Sequence, residues 1–155
     1  AAPWACGAHP YLPAGVGLID EATLHFSAGV RLAPDARQLP SGDVAVSGTP
    51  YDFSKPAVVG DLAVDYAFRD VERDPAGRAW VRLTGADGRR AELWCDASYP
   101  LVELFTGDTL PASYRRRGLG VEPMSAPPNA FATGESVLRL EPGESTTHAW
   151  GARLG

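Results

Sequence analysis

Two residues of types that transfer protons are each followed directly by proline. His9 lies in ACGAHPYL, and Glu122 lies in GLGVEPMSAPPNAF, a stretch whose only charge is this carboxylate. A proline disfavours the α region for the residue before it, so both side chains project from stiff, extended backbone. An imidazole and a carboxylate held in this way can act as an acid and base pair near neutral pH. The alternative is that His9 is a hydrogen-bonded core histidine and Glu122 a structural acceptor.

Asp65 and the run Arg115–Arg117 are further polar candidates. Asp65 stands in the apolar stretch AVDYAF, where its carboxylate either accepts hydrogen bonds from ligand hydroxyls or caps a loop. Three successive arginines could bind a phosphate, but successive strand residues point to opposite faces, so all three cannot line one pocket. A solvated turn is the favoured interpretation of the arginine run.

The remaining histidines and the tryptophans fit structural roles better. His25 in TLHFS and His148 in TTHAW are expected to be ordinary strand residues. The chain has four tryptophans, which could stack on sugar rings, although large aromatic side chains usually pack in the core of β proteins. We expect most of Trp4, Trp80, Trp94 and Trp150 to be core residues.

Length, charge and cysteine content exclude several classes of function. The 155 residues are enough for one globular domain, and the net charge of −5 with Lys55 as the only lysine argues against nucleic-acid binding. No apolar run reaches the roughly 18–20 residues that span a bilayer. Cys6 and Cys95 show no metal-ligand spacing, so we expect no metal and a reducing, cytoplasmic location. Buried free thiols at strand positions are the favoured interpretation, and one disulfide between the two cysteines is the alternative.

Short strands between breakers indicate an all-β fold. Glycine and proline contribute 17 and 14 residues, which leaves little room for long helices. Apolar or alternating runs predict strands over 22–28, 43–48, 61–68, 78–85, 91–97, 101–107, 136–143 and 147–154. The clearest hairpin is AWVRLTGADGRRAELWC, for which Asp87 and Gly88 are expected to supply the positive-φ turn residues. Strands at this spacing predict a large antiparallel β-sandwich or barrel.

Residues 29–60 are rich in turn-forming residues and are predicted to form a long excursion that contains one strand. Tyr51 and Phe53 give this segment apolar anchors that a disordered linker would lack.

Five segments resemble one known family. In order and spacing, GAHPYL, GTPYDFS, VDYAF, LFTGDTL and VEPMSAPPNAF resemble the C-terminal half of the aldose 1-epimerase (galactose mutarotase-like) family. The resemblance implies the family's large β-sandwich, with residues 1–155 forming the C-terminal part of a single domain. It also implies a cofactor-free isomerase that acts on an aldohexose.

The resemblance implies a role for four residues. His9 of the HPY motif matches the general acid toward the ring oxygen, and Glu122 of the EPM motif matches the general base toward the anomeric hydroxyl. Asp65 matches an aspartate that binds sugar hydroxyls. Glu103 stands where many members carry glutamine before a TG turn, which implies a substrate contact with altered chemistry.

Members of this family are longer than this chain, and their sugar-binding arginine and second histidine lie in the N-terminal half. The chain opens AAPWACGAHPYL without an initiating methionine. We therefore expect the N-terminal half to be supplied by further residues or by a second polypeptide. A homodimer is a further arrangement that the sequence leaves open.

Two other functions fit the same pattern. A carbohydrate-binding β-sandwich would need hydroxyl acceptors but no acid opposite a base, and a hexose-6-phosphate epimerase would need arginines such as Arg115–Arg117 for the phosphate.

Overall fold

The fold consists almost entirely of antiparallel strands, as the sequence predicts. The computed structural model describes all 155 residues. The strands, in chain order, are β1 (Ala2–Trp4), β2 (Tyr11–Pro13), β3 (Thr23–His25), β4 (Ala28–Pro34), β5 (Pro40–Ala45), β6 (Ala57–Val58), β7 (Asp65–Val71), β8 (Ala79–Thr84), β9 (Arg90–Cys95), β10 (Leu101–Phe105), β11 (Gly118–Met124), β12 (Leu138–Leu140) and β13 (Trp150–Leu154). One 3-10 turn (Ile19–Glu21) and one short helix, α1 (Ala130–Thr133), complete the chain. Neither helical segment is long and apolar enough to cross a membrane.

The strands form two large sheets and one small one. The six-stranded sheet has the order β2-β11-β10-β7-β4-β5, the five-stranded sheet has the order β13-β9-β8-β3-β6, and β1 pairs with β12. A cluster of 22 buried apolar residues draws members from both large sheets, among them Phe68, Leu104, Leu119, Leu83 and Leu93. The two sheets therefore pack face to face, and the other face of the six-stranded sheet points away from this core.

The β8–β9 hairpin forms at the predicted place with a different turn. Thr84 pairs with Arg90, and the Gly88 N–H donates a hydrogen bond of 2.9 Å to the Gly85 carbonyl. Of the two predicted turn residues, only Gly88 has a positive φ, of 81°. The hairpin is thus a four-residue turn closed by one left-handed glycine, because the loop is longer than a two-residue connection.

The prediction of one strand within residues 29–60 is wrong. β4 and β5 pair as a hairpin within this segment, and β6 pairs with β3 further along. The hairpin strands contain proline and glycine, which obscured their alternation. β5 can contain these residues because it is the outer strand of its sheet.

Two further strand predictions differ from the structure. β11 was not predicted, although it lies between β2 and β10 and carries Glu122. Its glycines and its proline are typical of loops. It is a strand because β2 and β10 pair with it on both sides. His148 precedes β13 and lies outside any strand.

Cys6 is half-buried and lies outside the strands, contrary to the expectation of two buried strand thiols, whereas Cys95 is buried in β9. Both thiols are free. The Cys6 thiol lies 3.6 Å from the Tyr99 hydroxyl.

The tryptophans do not form the core, and this prediction is wrong. None of the four is among the buried residues, and Trp150 is exposed. Trp80 and Trp94 project from the outer face of the five-stranded sheet, where Arg82 and Arg153 stack on Trp80 and Arg78 stacks on Trp94. Small aliphatic residues at the alternate positions of β8 and β9 fill the core instead.

Candidate active site

His9 lies at the edge of the six-stranded sheet, immediately before β2. The Val121 N–H donates a hydrogen bond of 3.0 Å to the carbonyl of Pro10, so the residue after His9 is tied to β11. The imidazole stacks on the Tyr11 ring at 4.9 Å between centroids and meets the edge of Phe105 at 6.2 Å. These contacts direct the ring over the outer face of β11.

Glu122 lies in the middle of β11 and points to the same face. Its neighbours Val121 and Pro123 are buried toward the core, and strand alternation therefore turns the Glu122 side chain outward. Its Oε1 lies 2.9 Å from His9 Nε2, with side-chain exposures of 17% for Glu122 and 48% for His9. The structure thus brings the two proline-flanked residues into direct contact across more than a hundred positions of sequence.

Glu103 and Asp65 extend this group across the next two strands. Glu103 of β10 is directly opposite Glu122 of β11, and Asp65 of β7 is opposite Phe105 of β10. Residues 103 and 105 share one face of β10, so Asp65 is a diagonal neighbour of Glu103. All four predicted site residues therefore lie on one face of one sheet, in the strand order β2-β11-β10-β7.

The site carries unusual electrostatics because three carboxyl groups share this face. Burial and, next, the charge of Asp65 raise the pKa of Glu122 to about 7. Burial and the charges of Glu122 and Asp65 raise the pKa of Glu103 to about 7. A protonated His9 ring, in contact with Glu122, favours the ionised form of that carboxyl and opposes part of the shift. Glu122 therefore changes its charge close to neutral pH.

Gly120 makes room for the imidazole. A Cβ at this position would lie 3.1 Å from the Phe105 Cβ and 3.3 Å from His9 Cε1. The absence of a side chain thus lets His9 and Phe105 approach across β11. The sequence-based search did not single out Gly120, Tyr11 or Phe105. Each of them lies two residues from a predicted site residue: Tyr11 from His9, Gly120 from Glu122 and Phe105 from Glu103. This spacing places them on the same sheet face once the strands are known.

A cavity of about 450 Å³ opens beside the carboxyl groups. Asp65 and Glu103 line it together with Gln38 and Thr109, whose amide and hydroxyl groups add donors and acceptors. Polar groups of both kinds around a hollow suit a ligand with several hydroxyl groups. No group of three or more His, Cys, Asp or Glu side chains is arranged to hold a metal ion.

The arginine run is not a solvated turn throughout. Arg116 is buried, pairs with Asp20 at 2.5 Å and with Asp108 at 2.8 Å, and donates to the Gly60 carbonyl at 2.6 Å. Arg115 and Arg117 are exposed. The expectation fails for Arg116 because the tertiary fold brings the carboxylates of Asp20 and Asp108 to its guanidinium. The run therefore does not present three arginines to one phosphate.

Comparisons with known proteins identify the family of this chain. A family model described as aldose 1-epimerase matches residues 1–152. The chain is 28% identical over 144 residues to the Escherichia coli K12 protein YihR, which is uncharacterised; the match covers 93% of the chain and 44% of that protein.

Solved structures show the same fold. A galactose mutarotase-like protein from Clostridium acetobutylicum superposes with a TM-score of 0.72 at 15% identity, over 99% of this chain and 47% of that one. A galactose 1-epimerase from Lactobacillus acidophilus superposes with a TM-score of 0.64 at 20% identity, over 89% of this chain and 45% of that one. The chain thus spans about half the length of the relatives it matches. Because the family model matches almost the whole sequence, the chain belongs to the aldose 1-epimerase family.

Proposed function

We propose that this chain carries the acid and base of a mutarotase site that interconverts the α and β anomers of a neutral hexose. The observation that carries the proposal is the contact of 2.9 Å between His9 Nε2 and Glu122 Oε1 on an open sheet face. Family membership supports the reaction class. We also propose that the substrate is a hexose and that the protein is cytoplasmic. The roles of His9, Glu122, Asp65 and Glu103 given below are part of the same proposal.

The proposed reaction consists of two proton transfers in each direction. Ionised Glu122 takes the proton of the anomeric hydroxyl while protonated His9 donates its proton to the ring oxygen. The bond between the anomeric carbon and the ring oxygen breaks, and the anomeric carbon becomes a carbonyl. Rotation about the adjacent carbon–carbon bond presents the other carbonyl face, and the two residues reverse their roles as the ring closes.

Substrate must separate the two side chains. Each group has to come within about 2.6–3.2 Å of its own sugar oxygen, which the direct His9–Glu122 contact prevents. His9 is the residue that moves in this proposal, because it lies at the sheet edge with 48% of its side chain exposed, whereas Glu122 is fixed within β11. Asp65 and Glu103 then bind hydroxyl groups of the sugar in the adjoining cavity.

The raised pKa of Glu122 suits a base that works near neutral pH. A general base is most effective when its pKa is close to the working pH, because it is then both largely ionised and a good proton acceptor. We expect activity to fall below pH 7 as Glu122 becomes protonated.

The proposal includes a second half of the site. The chain spans about half the length of its relatives, and the described residues supply carboxyl groups and one imidazole but no free cation beside them. We propose that an N-terminal half, in the same polypeptide or a second one, covers the sugar and provides its remaining contacts.

Polarimetry tests this function directly. Freshly dissolved α-D-glucose and α-D-galactose are followed with the protein at its natural length and with Glu122→Gln, His9→Asn and the exposed control Glu21→Gln. We expect faster anomer exchange with the wild type and the control, and a loss of about 10²–10⁴-fold in each site variant. Hexose binding without faster exchange would instead support the non-catalytic carbohydrate-binding function, and full activity of Glu122→Gln would refute the base assignment.

A further inference from the structure

Glu103 occupies a position with carboxyl groups on two sides. β10 lies between β11 and β7, and these strands place Glu122 directly opposite Glu103 and Asp65 on its diagonal. The charged and titratable groups that share this sheet face with Glu103 are His9 before β2, Tyr11 on β2, Glu122 on β11, and Asp65 and Arg69 on β7. Arg69 is already paired with Asp43 and Glu135, so no free cation lies next to Glu103.

Glu103 and Asp65 line the same cavity, and the carboxyl of Asp65 lies close enough to raise the pKa of Glu103. One proton on this pair lets one carboxyl donate a hydrogen bond to the other, because two ionised carboxylates have only acceptor atoms. Two carboxylates that share a site also repel each other, which favours the same outcome.

The surroundings decide which carboxyl holds this proton. Asp65 is exposed, so water stabilises its charge, and Glu122 has the His9 imidazole at 2.9 Å as a partner for its charge. Glu103 is half-buried and has neither full contact with water nor a cation to stabilise its charge. Ionisation is therefore least favourable at Glu103.

We propose that Glu103 holds the proton of this carboxyl cluster, donates it in a hydrogen bond to Asp65, and leaves Glu122 as the free carboxylate opposite His9. Glu103 is then a positioning residue: it fixes Asp65 and keeps a second negative charge away from the base. The inference rests on the proposed function for its catalytic consequence, although the protonation itself does not depend on catalysis. The other oxygen of the neutral carboxyl remains free in the cavity beside Gln38 and Thr109, where it can accept a hydrogen bond from a sugar hydroxyl.

The order of ionisation in the cluster follows from these contacts. The pKa values of Glu103 and Glu122 are both raised to about 7, so the contact of His9 with Glu122 decides that Glu122 ionises first. Glu103 thus ionises into a site that already holds two negative charges. Removing the Glu122 charge should therefore affect Glu103 more strongly than the reverse change affects Glu122.

Carboxyl ¹³C NMR titration tests the protonation. Spectra of the wild type, Glu103→Gln, Glu122→Gln and the control Glu21→Gln assign the resonances and report each midpoint between pH 3 and 10. We expect the Glu103 resonance to titrate near pH 7 and its midpoint to fall by about one unit or more in Glu122→Gln. In Glu103→Gln, the Glu122 midpoint should shift by less than this. A Glu103 midpoint near the ordinary value of about 4.3, or one that Glu122→Gln leaves unchanged, would overturn the inference.

The pH profile of kcat/KM adds a readout that a purely structural role would not change. We expect wild-type activity to decline as the pH rises above about 7, where Glu103 loses its proton, and Glu103→Gln to show a smaller decline because its amide donates at every pH. Equal alkaline declines in the two proteins would contradict the role of Glu103. If the NMR midpoints are as expected but neither protein accelerates anomer exchange, the proposed function fails and the protonation of Glu103 stands.

Discussion

His9 and Glu122 differ in how they are held, and this difference separates their contributions to stability and to activity. Glu122 is enclosed by β11 and its neighbours, so its charge is costly to the fold. His9 is half exposed at the edge and stacks only on Tyr11 and Phe105. Substitution of Glu122 should therefore change both the free energy of unfolding and the catalytic rate. Substitution of His9 should mainly change the catalytic rate.

The raised pKa of Glu122 makes its contribution to stability depend on pH. Because its pKa is higher in the folded chain than in the unfolded chain, the stabilisation is complete below about pH 4.3 and is lost as pH rises through 7. We expect Glu122→Gln to raise the free energy of unfolding by roughly 1–3 kcal/mol at pH 8 and to change it little at pH 4.5. Urea unfolding at both pH values measures this. The exposed control Glu21→Gln should show no such pH dependence, and a Glu122→Gln variant that is less stable at pH 8 would contradict the prediction.

Gly120 is expected to be required for the position of His9. In Gly120→Ala the new methyl group presses on Phe105 and on the imidazole, so we expect a loss of roughly 1–3 kcal/mol in stability, as is typical of overpacking, and a displaced His9 ring. Thermal unfolding and the His9 ring resonances in NMR report the two effects. Gly42→Ala on β5 is the matched control, because nothing lies within 4 Å of a Cβ there. Equal effects of the two substitutions would show that the space beside His9 is unimportant.

In the connection from β10 to β11, a single buried side chain makes contacts with two other loops. Arg116 adopts a positive φ of 54°, and its guanidinium joins Asp108 of the same connection to Asp20 of the 3-10 turn. It also donates to the backbone at Gly60, which follows β6. One buried cation thus links the start of β11 to two other loops and fixes the strand that carries Glu122.

Replacement of Arg116 should destabilise this connection strongly. Breaking a buried ion pair costs about 3–5 kcal/mol, and the lower end applies to Arg116→Met because Asp20 and Asp108 are partly exposed and regain water. Arg115→Ala, which removes an exposed neighbour, should stay within about 0.5 kcal/mol of the wild type. Guanidinium unfolding of both variants makes the comparison. Similar stability of the two would mean that the Arg116 ion pairs add nothing to the fold.

For the molecule as a whole, four of the large exposed apolar side chains lie on or next to two sheet edges. Tyr11 on β2, Val16 and Leu18 in the loop after it, and Val58 on β6 are large apolar residues exposed by at least 44%, with Val16 at 88%. β2 and β6 are the outer strands of their sheets. Unpaired backbone groups together with apolar side chains favour association with another polypeptide segment.

We expect the proposed N-terminal half to cover these edges. Hydrogen exchange of the β2 and β6 amides, compared between residues 1–155 alone and the natural-length protein, should show stronger protection in the longer form. Val16→Ser should lower the melting temperature of the natural-length protein more than that of residues 1–155 alone. Unchanged protection at both edges would indicate that any second half binds elsewhere, and light scattering would reveal whether a homodimer covers them instead.

The sequence alone was sufficient for the fold class and for the four candidate residues. The alternation of apolar and polar residues between turn-forming residues predicts strands, because the two-residue period of a strand is a local property of the sequence. β8, β9 and β10 accordingly lie close to their predicted bounds. Proline after His9 and after Glu122 is likewise a local restriction on the backbone. The resemblance to aldose 1-epimerases then connected these two residues with Asp65 and Glu103.

The tertiary structure decided what depends on pairing between distant segments. β11 is a strand because β2 and β10 bond to its two edges, although its glycines and proline disfavour that conformation locally. Arg116 is buried because Asp20 and Asp108 surround it. The tryptophans remain outside because aliphatic and phenylalanine side chains fill the core. The contact between His9 and Glu122 and the carboxyl cluster around Glu103 arise from strand register, since a shift by one residue would turn each side chain to the opposite face.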